Sequence, residues 1–146
     1  LAMYERILVA VDGSKPASRA VQRAAGLARC FQARLWLVTV IHLPLSYRLA
    51  LGSALAMGEE PWATLQRQAE TVLAAAGELC QEQCLPFQTI LRWGEPAAEI
   101  LQLVQELKIE LLVVGSRGLG QARAHLLGSV SDRLSHEVGC DILLVR

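Results

Sequence analysis

Short, continuous runs of branched apolar residues alternate along this chain with longer segments of helical periodicity, and this alternation is the feature that most limits the fold. The clearest runs lie at residues 7–11, 35–41, 111–114 and 142–145. Strands without polar alternation are buried on both faces, as parallel strands under helices are. The pattern therefore predicts a parallel sheet covered by helices on both faces.

The segments between these runs complete a regular order of strands and helices. Helical patterns lie at about 16–31, 61–84, 97–107 and 129–138, and a further strand is predicted at 87–91. Ser14 is the predicted N-cap of the first helix, Pro16 fits its first turn, and Gly139 is expected to stop the last helix at its C′ position. The order β-α-β-α-β-α-β-α-β predicts an α/β fold: a single-domain, open, doubly wound, five-stranded parallel sheet, an α/β/α sandwich of Rossmann-like type.

Length and charge limit the number of domains and the kind of partner. At roughly 100–200 residues per domain, a chain of 146 residues is one unit, which we assign to residues 3–146. Met3 is expected to be a start methionine behind a short remnant, Leu1-Ala2. Lys and Arg total 14, as do Asp and Glu, so no basic excess faces a nucleic-acid backbone. No apolar run reaches the roughly 18 residues of a membrane span. We expect neither nucleic acid nor membrane as a partner.

Four cysteines stand at Cys30, Cys80, Cys84 and Cys140. No CxxC pair exists, and no histidine stands at zinc-ligand spacing from them, so we predict no metal site. No signal peptide is visible in the sequence. Reduced thiols in a cytoplasmic protein are the expected outcome.

A glycine-rich segment follows the fourth strand, and ligands of open α/β sheets bind beyond the carboxyl ends of the strands. Gly115 and Gly118 are three residues apart, and nine residues separate Gly118 from Gly128, which precedes Ser129 and a helix. Glycines let the backbone approach phosphate oxygens and adopt positive φ, and the first amides of a helix attract anions. The spacing predicts a phosphate-binding loop, with Ser129 and Ser131 as additional hydroxyl donors.

Structural roles remain open for two of these residues. Ser129 with Asp132 three positions later resembles a capping box, so Ser129 is either a ligand or only an N-cap. Asp12, directly after the first strand, is either a ligand or the acceptor of an Asx-turn that begins the first helix.

With these motifs, the chain resembles the universal stress protein family of small adenine-nucleotide-binding α/β proteins. The resemblance rests on the segments 7–14, 94–96, 112–118 and 127–131, together with the strand that reaches Val40 and the closing strand. The nucleotide-binding signature of that family, G-x2-G-x9-G followed by Ser or Thr, is matched at Gly115, Gly118, Gly128 and Ser129. The resemblance therefore implies that the chain binds ATP or AMP.

The resemblance also implies how the residues share the ligand. Asp12 and the backbone around Val40 would hold the adenosine, while Gly115 and Gly118 would border the ribose and the α-phosphate. The outer phosphates would fall to four consecutive residues: Gly128, Ser129, Val130 and Ser131. Mg²⁺ or Mn²⁺ can accompany the phosphates. The first and fourth strands are expected side by side at the sheet centre, and a homodimer is expected through the last strand, residues 141–146.

Other residues are weaker candidates for the site. Arg117, Arg123 and His125 lie in or near the loop, and His42 follows the second strand. The segment from Leu43 to Gly58 is rich in leucine and poor in charge, so it is either a short accessory helix or an apolar patch for a protein partner.

The absence of several known motifs limits the functional classes to which this chain can belong. The sequence has no GxGxxG after its first strand, no P-loop and no nucleophile elbow. No Asp or Glu lies between Gly115 and Ser131. We therefore expect a regulatory nucleotide-binding protein of the stress response, and the alternative is a slow ATP hydrolase or phosphotransferase that uses the same site.

Overall fold

Strands and helices alternate throughout the part of the chain that the structure, a computed structural model, describes: residues 3–42, 49, 61–118 and 127–146. The strands are β1 (Arg6–Ala10), β2 (Arg34–Ile41), β3 (Gln88–Trp93), β4 (Leu111–Gly115) and β5 (Asp141–Val145). The helices are α1 (Lys15–Phe31), α2 (Pro61–Gln81), α3 (Pro96–Glu106) and α4 (Ser129–Glu137). The predicted order of elements is confirmed.

The five strands form one parallel sheet in the order β3-β2-β1-β4-β5. Val9 in β1 lies opposite Leu37 in β2 on one side and opposite Val113 in β4 on the other. The expected neighbourhood of the first and fourth strands is thus confirmed. The strand order reverses between β1 and β4, so a crevice opens there beyond their carboxyl ends.

Helices cover both faces of the sheet, because successive residues of a strand point to opposite sides. On one face, Val9 and Leu37 pack with α1 and α2 in a core that includes Val21. On the other face, Leu8 and Leu112 pack with α3 and α4 in a second core. Each fully buried large aliphatic side chain contributes about 1.5–3 kcal/mol relative to an exposed one. The doubly wound α/β fold is confirmed.

The start of α1 fixes the rim of the crevice. Ser14 is the N-cap, as predicted, and its buried hydroxyl accepts a hydrogen bond from the Ala17 amide at 3.2 Å. Gly13 adopts a φ of +86°, in the region that glycine reaches without strain. The chain therefore turns sharply from β1 into α1, directly at the carboxyl end of the central strand.

The end of one helix differs from its prediction, and the end of another agrees. α2 ends at Gln81 rather than near residue 84, because Cys84 adopts a left-handed φ of +52° and the Leu85 amide donates back to the Cys80 carbonyl at 3.2 Å. Gly139 lies at the C′ position of α4, as predicted, and its φ is not positive. Val138 is already extended at ψ 138°, so the chain enters β5 without a left-handed turn.

Candidate functional site

A cavity of about 440 Å³ lies at the carboxyl ends of β1, β2 and β4. This volume is within the range of roughly 300–1,000 Å³ that small-molecule sites occupy. The described residues around it come from three strand ends, from the first turns of the helices that follow and from the glycine loop. They are Ala10, Val11, Asp12, Ala17, Val38, Val40, His42, Pro96, Ile100, Val114, Gly115, Arg117, Gly118, Gly128, Ser129 and Val130.

The two ends of the cavity differ in chemistry. On the β2 side the walls are mainly apolar, with Val38 and Val40 facing the cavity together with Ile100 of α3, and His42 lines the cavity just beyond the end of β2. On the β4 side the lining consists of glycine backbone, Arg117 and the beginning of α4. Neighbouring strands are about 4.8 Å apart, so the cavity spans two strand spacings, from an apolar end to an end rich in backbone amides.

Asp12 stands between these two ends, directly after β1. Its Oδ1 accepts a hydrogen bond from the Ser14 amide at 2.9 Å, which is the Asx-turn considered from the sequence. Its Oδ2 lies 2.7 Å from the point that a Cβ on Gly118 would occupy. The carboxylate is exposed and lines the cavity. The structural role and a ligand role are therefore compatible, since each uses a different oxygen.

Gly115 and Gly118 are glycines for different reasons. A Cβ on Gly115 would lie 2.9 Å from the Pro16 carbonyl carbon and from the Ala17 amide nitrogen, so β4 can pass the first turn of α1 only with glycine there. A Cβ on Gly118 would meet the Asp12 carboxylate instead. The expected positive φ is absent from both residues and from Gly128. The loop therefore needs Gly115 and Gly118 for close approach and not for left-handed backbone, whereas a Cβ on Gly128 would make ordinary contacts at 3.4 Å.

The N-terminus of α4 points into the polar end of the cavity. Gly128 is the N-cap, with φ −64° and ψ 156°, and the first helical bond runs from the Asp132 amide to the Gly128 carbonyl at 2.8 Å. The amides of Ser129 and Val130 precede that bond, so they have no acceptor within the helix. The capping-box reading of Ser129 is wrong, because Ser129 is the first helical residue and its side chain is exposed.

Ser131 is the one predicted site residue that the structure does not bring to the cavity. It is buried, and its Oγ lies 2.9 Å from the Ser116 carbonyl oxygen and 3.0 Å from the Gly128 carbonyl oxygen. Asp12, Val40, Gly115, Gly118, Gly128, Ser129 and Val130 all line the cavity.

Sequence reasoning missed part of the wall and the residue that anchors the loop. Pro96 and Ile100 of α3 line the cavity, and their spacing of four residues on one helix face was the available signal. Ser116 is buried, and its amide donates to the Val145 carbonyl at 2.7 Å. Nothing in its local sequence distinguishes Ser116 from an exposed loop serine.

The weaker candidates divide between the cavity and the segments outside the described residues. His42 and Arg117 line the cavity, and His42 Nδ1 lies 3.2 Å from the Gly94 carbonyl oxygen. Arg123 and His125 lie outside the described residues, as does the segment from Leu43 to Gly58 apart from the exposed Leu49.

The thiols lie apart from this site. All four cysteines are free, and burial raises the pKa of the Cys80 thiol to about 11, so this group stays protonated at neutral pH.

In residues 3–42, 61–118 and 127–146, no group of three or more His, Cys, Asp or Glu side chains is arranged to hold a metal ion. In those same ranges, no helix is both long and apolar enough to cross a membrane.

The sheet order and the cavity at its reversal point define an α/β protein with a ligand-sized site at the topological switch point. The model of the Universal stress protein family matches residues 3–146. Universal stress protein YxiE of Bacillus subtilis is 33% identical over 148 residues, covering 99% of this chain and 100% of the relative. This chain belongs to the universal stress protein family.

Solved structures of the family share the fold. A universal stress protein in complex with cAMP aligns with a TM-score of 0.74 and 24% identity, over 98% of this chain and 97% of that one. The Archaeoglobus fulgidus universal stress protein in complex with dAMP aligns with a TM-score of 0.71 and 21% identity, over 99% of each chain. At these identities, the likeness establishes the architecture.

Proposed function

We propose that this protein binds an adenine nucleotide, ATP or AMP, in the cavity at the carboxyl ends of β1, β2 and β4. The observation that carries the proposal is that seven residues singled out from the sequence line this one cavity. They are Asp12, Val40, Gly115, Gly118, Gly128, Ser129 and Val130. Two proteins of the same fold are described as complexes with cAMP and dAMP, which supports an adenine nucleotide as the ligand.

The chemistry of the two cavity ends supports one orientation of the ligand. An aromatic base is favoured between apolar side chains, so the adenine belongs at the β2 end, beside Val40 and Ile100. Phosphate oxygens are favoured where unpaired amides converge, so they belong at Ser129 and Val130, at the N-terminus of α4. Arg117 adds positive charge at the same end.

The residues that line the cavity do not form a metal site of their own. Asp12 is the one carboxylate among the described lining residues, and Mg²⁺ or Mn²⁺ requires several oxygen ligands. We therefore propose that a divalent ion enters, where it is needed, as a complex with the nucleotide phosphates.

The residues that line the cavity support nucleotide binding rather than catalysis. Hydrolysis requires a group that orients the attacking water and charge that stabilises the leaving phosphate. Asp12 is the one carboxylate among the described lining residues, and since its Oδ1 accepts the Ser14 amide, Oδ2 is the one carboxylate oxygen left for such a step. We propose a nucleotide-responsive regulator of the stress response, a role that membership in the family supports.

The proposal is tested by identifying what the purified protein carries and what stabilises it. We expect denatured protein to release an adenine nucleotide that mass spectrometry identifies. AMP or ATP at a hundredfold excess over Kd should stabilise the nucleotide-free protein by roughly 2.7 kcal/mol, whereas GMP should not. Release of nothing, together with an unchanged melting temperature in millimolar AMP and ATP, would contradict the proposal. Phosphate release from ATP that Asp12→Asn abolishes while binding is retained would favour the hydrolase.

We also propose that two copies pair through β5. β5 lies at the edge of the sheet, and its central residues Ile142, Leu143 and Leu144 are only half-buried in the single chain. Such an edge favours pairing with a second strand.

We propose that the protein resides in the cytoplasm, because its four unpaired thiols fit a reducing compartment.

A further inference from the structure

The first turn of α4 and the beginning of the glycine loop are joined by hydrogen bonds to one carbonyl group. The Ser116 carbonyl oxygen accepts from the Gly128 amide at 2.8 Å and from the Ser131 hydroxyl at 2.9 Å. Since residues 116 and 128 stand at the two ends of the loop, these bonds hold its ends together. We call this pair of bonds the loop clasp.

The Ser131 hydroxyl makes this arrangement more specific than a helix start alone. A hydroxyl has a single hydrogen, and Ser131 Oγ lies within 3.0 Å of both the Ser116 and the Gly128 carbonyl oxygens. The side chain is buried, with 4% of its surface exposed, so water does not readily take over the donor role. Removing the hydroxyl would leave the Ser116 and Gly128 carbonyl oxygens with only their backbone donors, the Gly128 and Asp132 amides, and would take away the bond that ties the Ser131 side chain to Ser116.

The amide and the side chain of Ser116 are fixed as well as its carbonyl. Its amide donates to the Val145 carbonyl at the end of β5 at 2.7 Å, and its side chain is buried. Ser116 is therefore fixed between the edge strand and α4. A Cβ on Gly128 would lie 3.4 Å from the Arg117 Cα and from the Gly118 amide nitrogen, so the two ends of the loop lie in close contact.

We propose that Ser131 is a positioning residue whose hydroxyl closes the loop clasp and so keeps the α4 amides facing the cavity. This inference rests on the proposed nucleotide binding at that site. It assigns Ser131 an indirect role, in place of the direct contact with outer phosphates that the family resemblance implied. A site that is ordered before binding loses less conformational entropy on binding, so the clasp raises affinity without touching the ligand.

The experiment measures the clasp and the binding separately. Hydrogen exchange of the Gly128 amide, measured by NMR without nucleotide, reports the clasp, because this amide donates to the Ser116 carbonyl. The Val11 amide, which donates to the Val38 carbonyl at 2.8 Å between β1 and β2, reports global stability. Calorimetric titration with AMP gives the affinity. The variants are Ser131→Ala, Ser131→Cys, which keeps the volume but weakens the donor, Ser131→Thr, which restores a hydroxyl, and Ser135→Ala.

Ser135→Ala is the matched control, because Ser135 lies on the same helix and its exposed hydroxyl donates to the Asp132 carbonyl at 2.6 Å, away from the loop. We expect Ser131→Ala and Ser131→Cys to accelerate exchange at Gly128 more than at Val11 and to weaken AMP binding about tenfold. Ser131→Thr should restore both quantities, and Ser135→Ala should change neither.

Two results would overturn the inference. The first is weaker AMP binding with unchanged exchange at Gly128, which would make Ser131 a direct ligand of the nucleotide. The second is equal acceleration at Gly128 and Val11, which would make Ser131 a general stability residue. Failure of the proposed function has a different signature: faster Gly128 exchange in Ser131→Ala, with no AMP binding even in the unaltered protein, would support the clasp and contradict nucleotide binding.

Discussion

At the scale of single residues, the contrast between Gly115 and Gly118 separates stability from binding. Gly118→Ala places a methyl group 2.7 Å from Asp12 Oδ2, which must move although Oδ1 is held by the Ser14 amide. Gly115→Ala places a methyl group 2.9 Å from the backbone at Pro16 and Ala17, which cannot move without shifting α1. We expect Gly118→Ala to weaken AMP binding at least tenfold with little change in melting temperature, and Gly115→Ala to cost about 1–3 kcal/mol of stability.

Calorimetric titration and thermal denaturation of both variants check this pair of expectations. Gly26→Ala is the control, because nothing lies within 4 Å of a Cβ there and alanine is the better helix former within α1. It should keep full binding and gain about 0.5–1 kcal/mol. Unimpaired AMP binding by Gly118→Ala would show that the contact between Asp12 and Gly118 does not contribute to nucleotide binding.

Residue types and spacing were predictable here, whereas the atoms they meet were not. The spacing of Gly115, Gly118 and Gly128 identified the loop, because close approach of a backbone leaves a glycine in the local sequence. The neighbours that require Gly118 and Gly115 are Asp12 and the start of α1, respectively, which are distant in sequence. The buried bond of Ser131 depends on the same kind of distant contact, so a serine in the motif was read as a ligand.

At the scale of elements, the turn after α2 offers a test of backbone strain. Cys84 has a φ of +52°, a left-handed conformation that costs a residue with a Cβ about 1–2 kcal/mol and costs glycine little. We expect Cys84→Gly to raise the free energy of unfolding by about 1 kcal/mol in urea denaturation. Cys30→Gly, the same exchange at another exposed cysteine but within α1, should lower it by a few tenths of a kcal/mol. Effects of the same sign at both positions would contradict the assignment of strain to Cys84.

Glu95 joins two helices whose first turns border the site. Its carboxylate caps α3 by accepting from the Ala97 and Ala98 amides at 3.3 and 2.9 Å, and it pairs with Arg133 of α4 at 2.6 Å. Partial burial acts to raise the pKa of Glu95, but the Ala98 and Ala97 amides and Arg133 outweigh it and hold the pKa below the ordinary 4.5. A carboxylate with a lowered native pKa stabilises the fold above its unfolded pKa and loses that effect as the pH falls through its native pKa.

We therefore expect Glu95→Gln to lower the melting temperature at pH 7, and the difference from the unaltered protein to shrink as the pH falls below about 4.5. Thermal denaturation between pH 7 and pH 3 measures it. Glu137→Gln is the control, because Glu137 also pairs with Arg133, at 2.9 Å, but caps no helix start. A difference that stays constant over the whole range would show that ionisation of Glu95 contributes nothing.

Element order was predictable from periodicity, but the ends of elements were less so. Pro16 and Ser14 marked the start of α1, because a cap and a proline act within one turn. The end of α2 was misplaced, because the left-handed turn falls on Cys84 and not on a glycine or asparagine. Gly139 was placed correctly at C′, and it ends α4 without a left-handed conformation because the chain continues directly into a strand.

At the scale of the whole molecule, the sheet order decides which surfaces remain available. Alternating strands and helices predicted a parallel sheet, but strand order depends on contacts between distant segments, and the neighbourhood of β1 and β4 came from the family resemblance. That order makes β5 and β3 the two edges. Since Ser116 donates to Val145 at the end of β5, one edge is also tied to the beginning of the glycine loop.

The two edges make a matched test of the proposed dimer. Leu143→Lys places a charge in the middle of β5, where a second β5 strand would have to pack, and charged side chains on an edge discourage pairing. Thr89→Lys places the same charge on an exposed position of β3. We expect sedimentation to show a dimer for the unaltered protein and for Thr89→Lys, and a monomer for Leu143→Lys that keeps its circular dichroism spectrum. Because β4 separates the cavity from β5 in the sheet, the monomer should still bind AMP. A monomeric unaltered protein would contradict the dimer, and dissociation by Thr89→Lys alone would place the interface at β3 and not at β5.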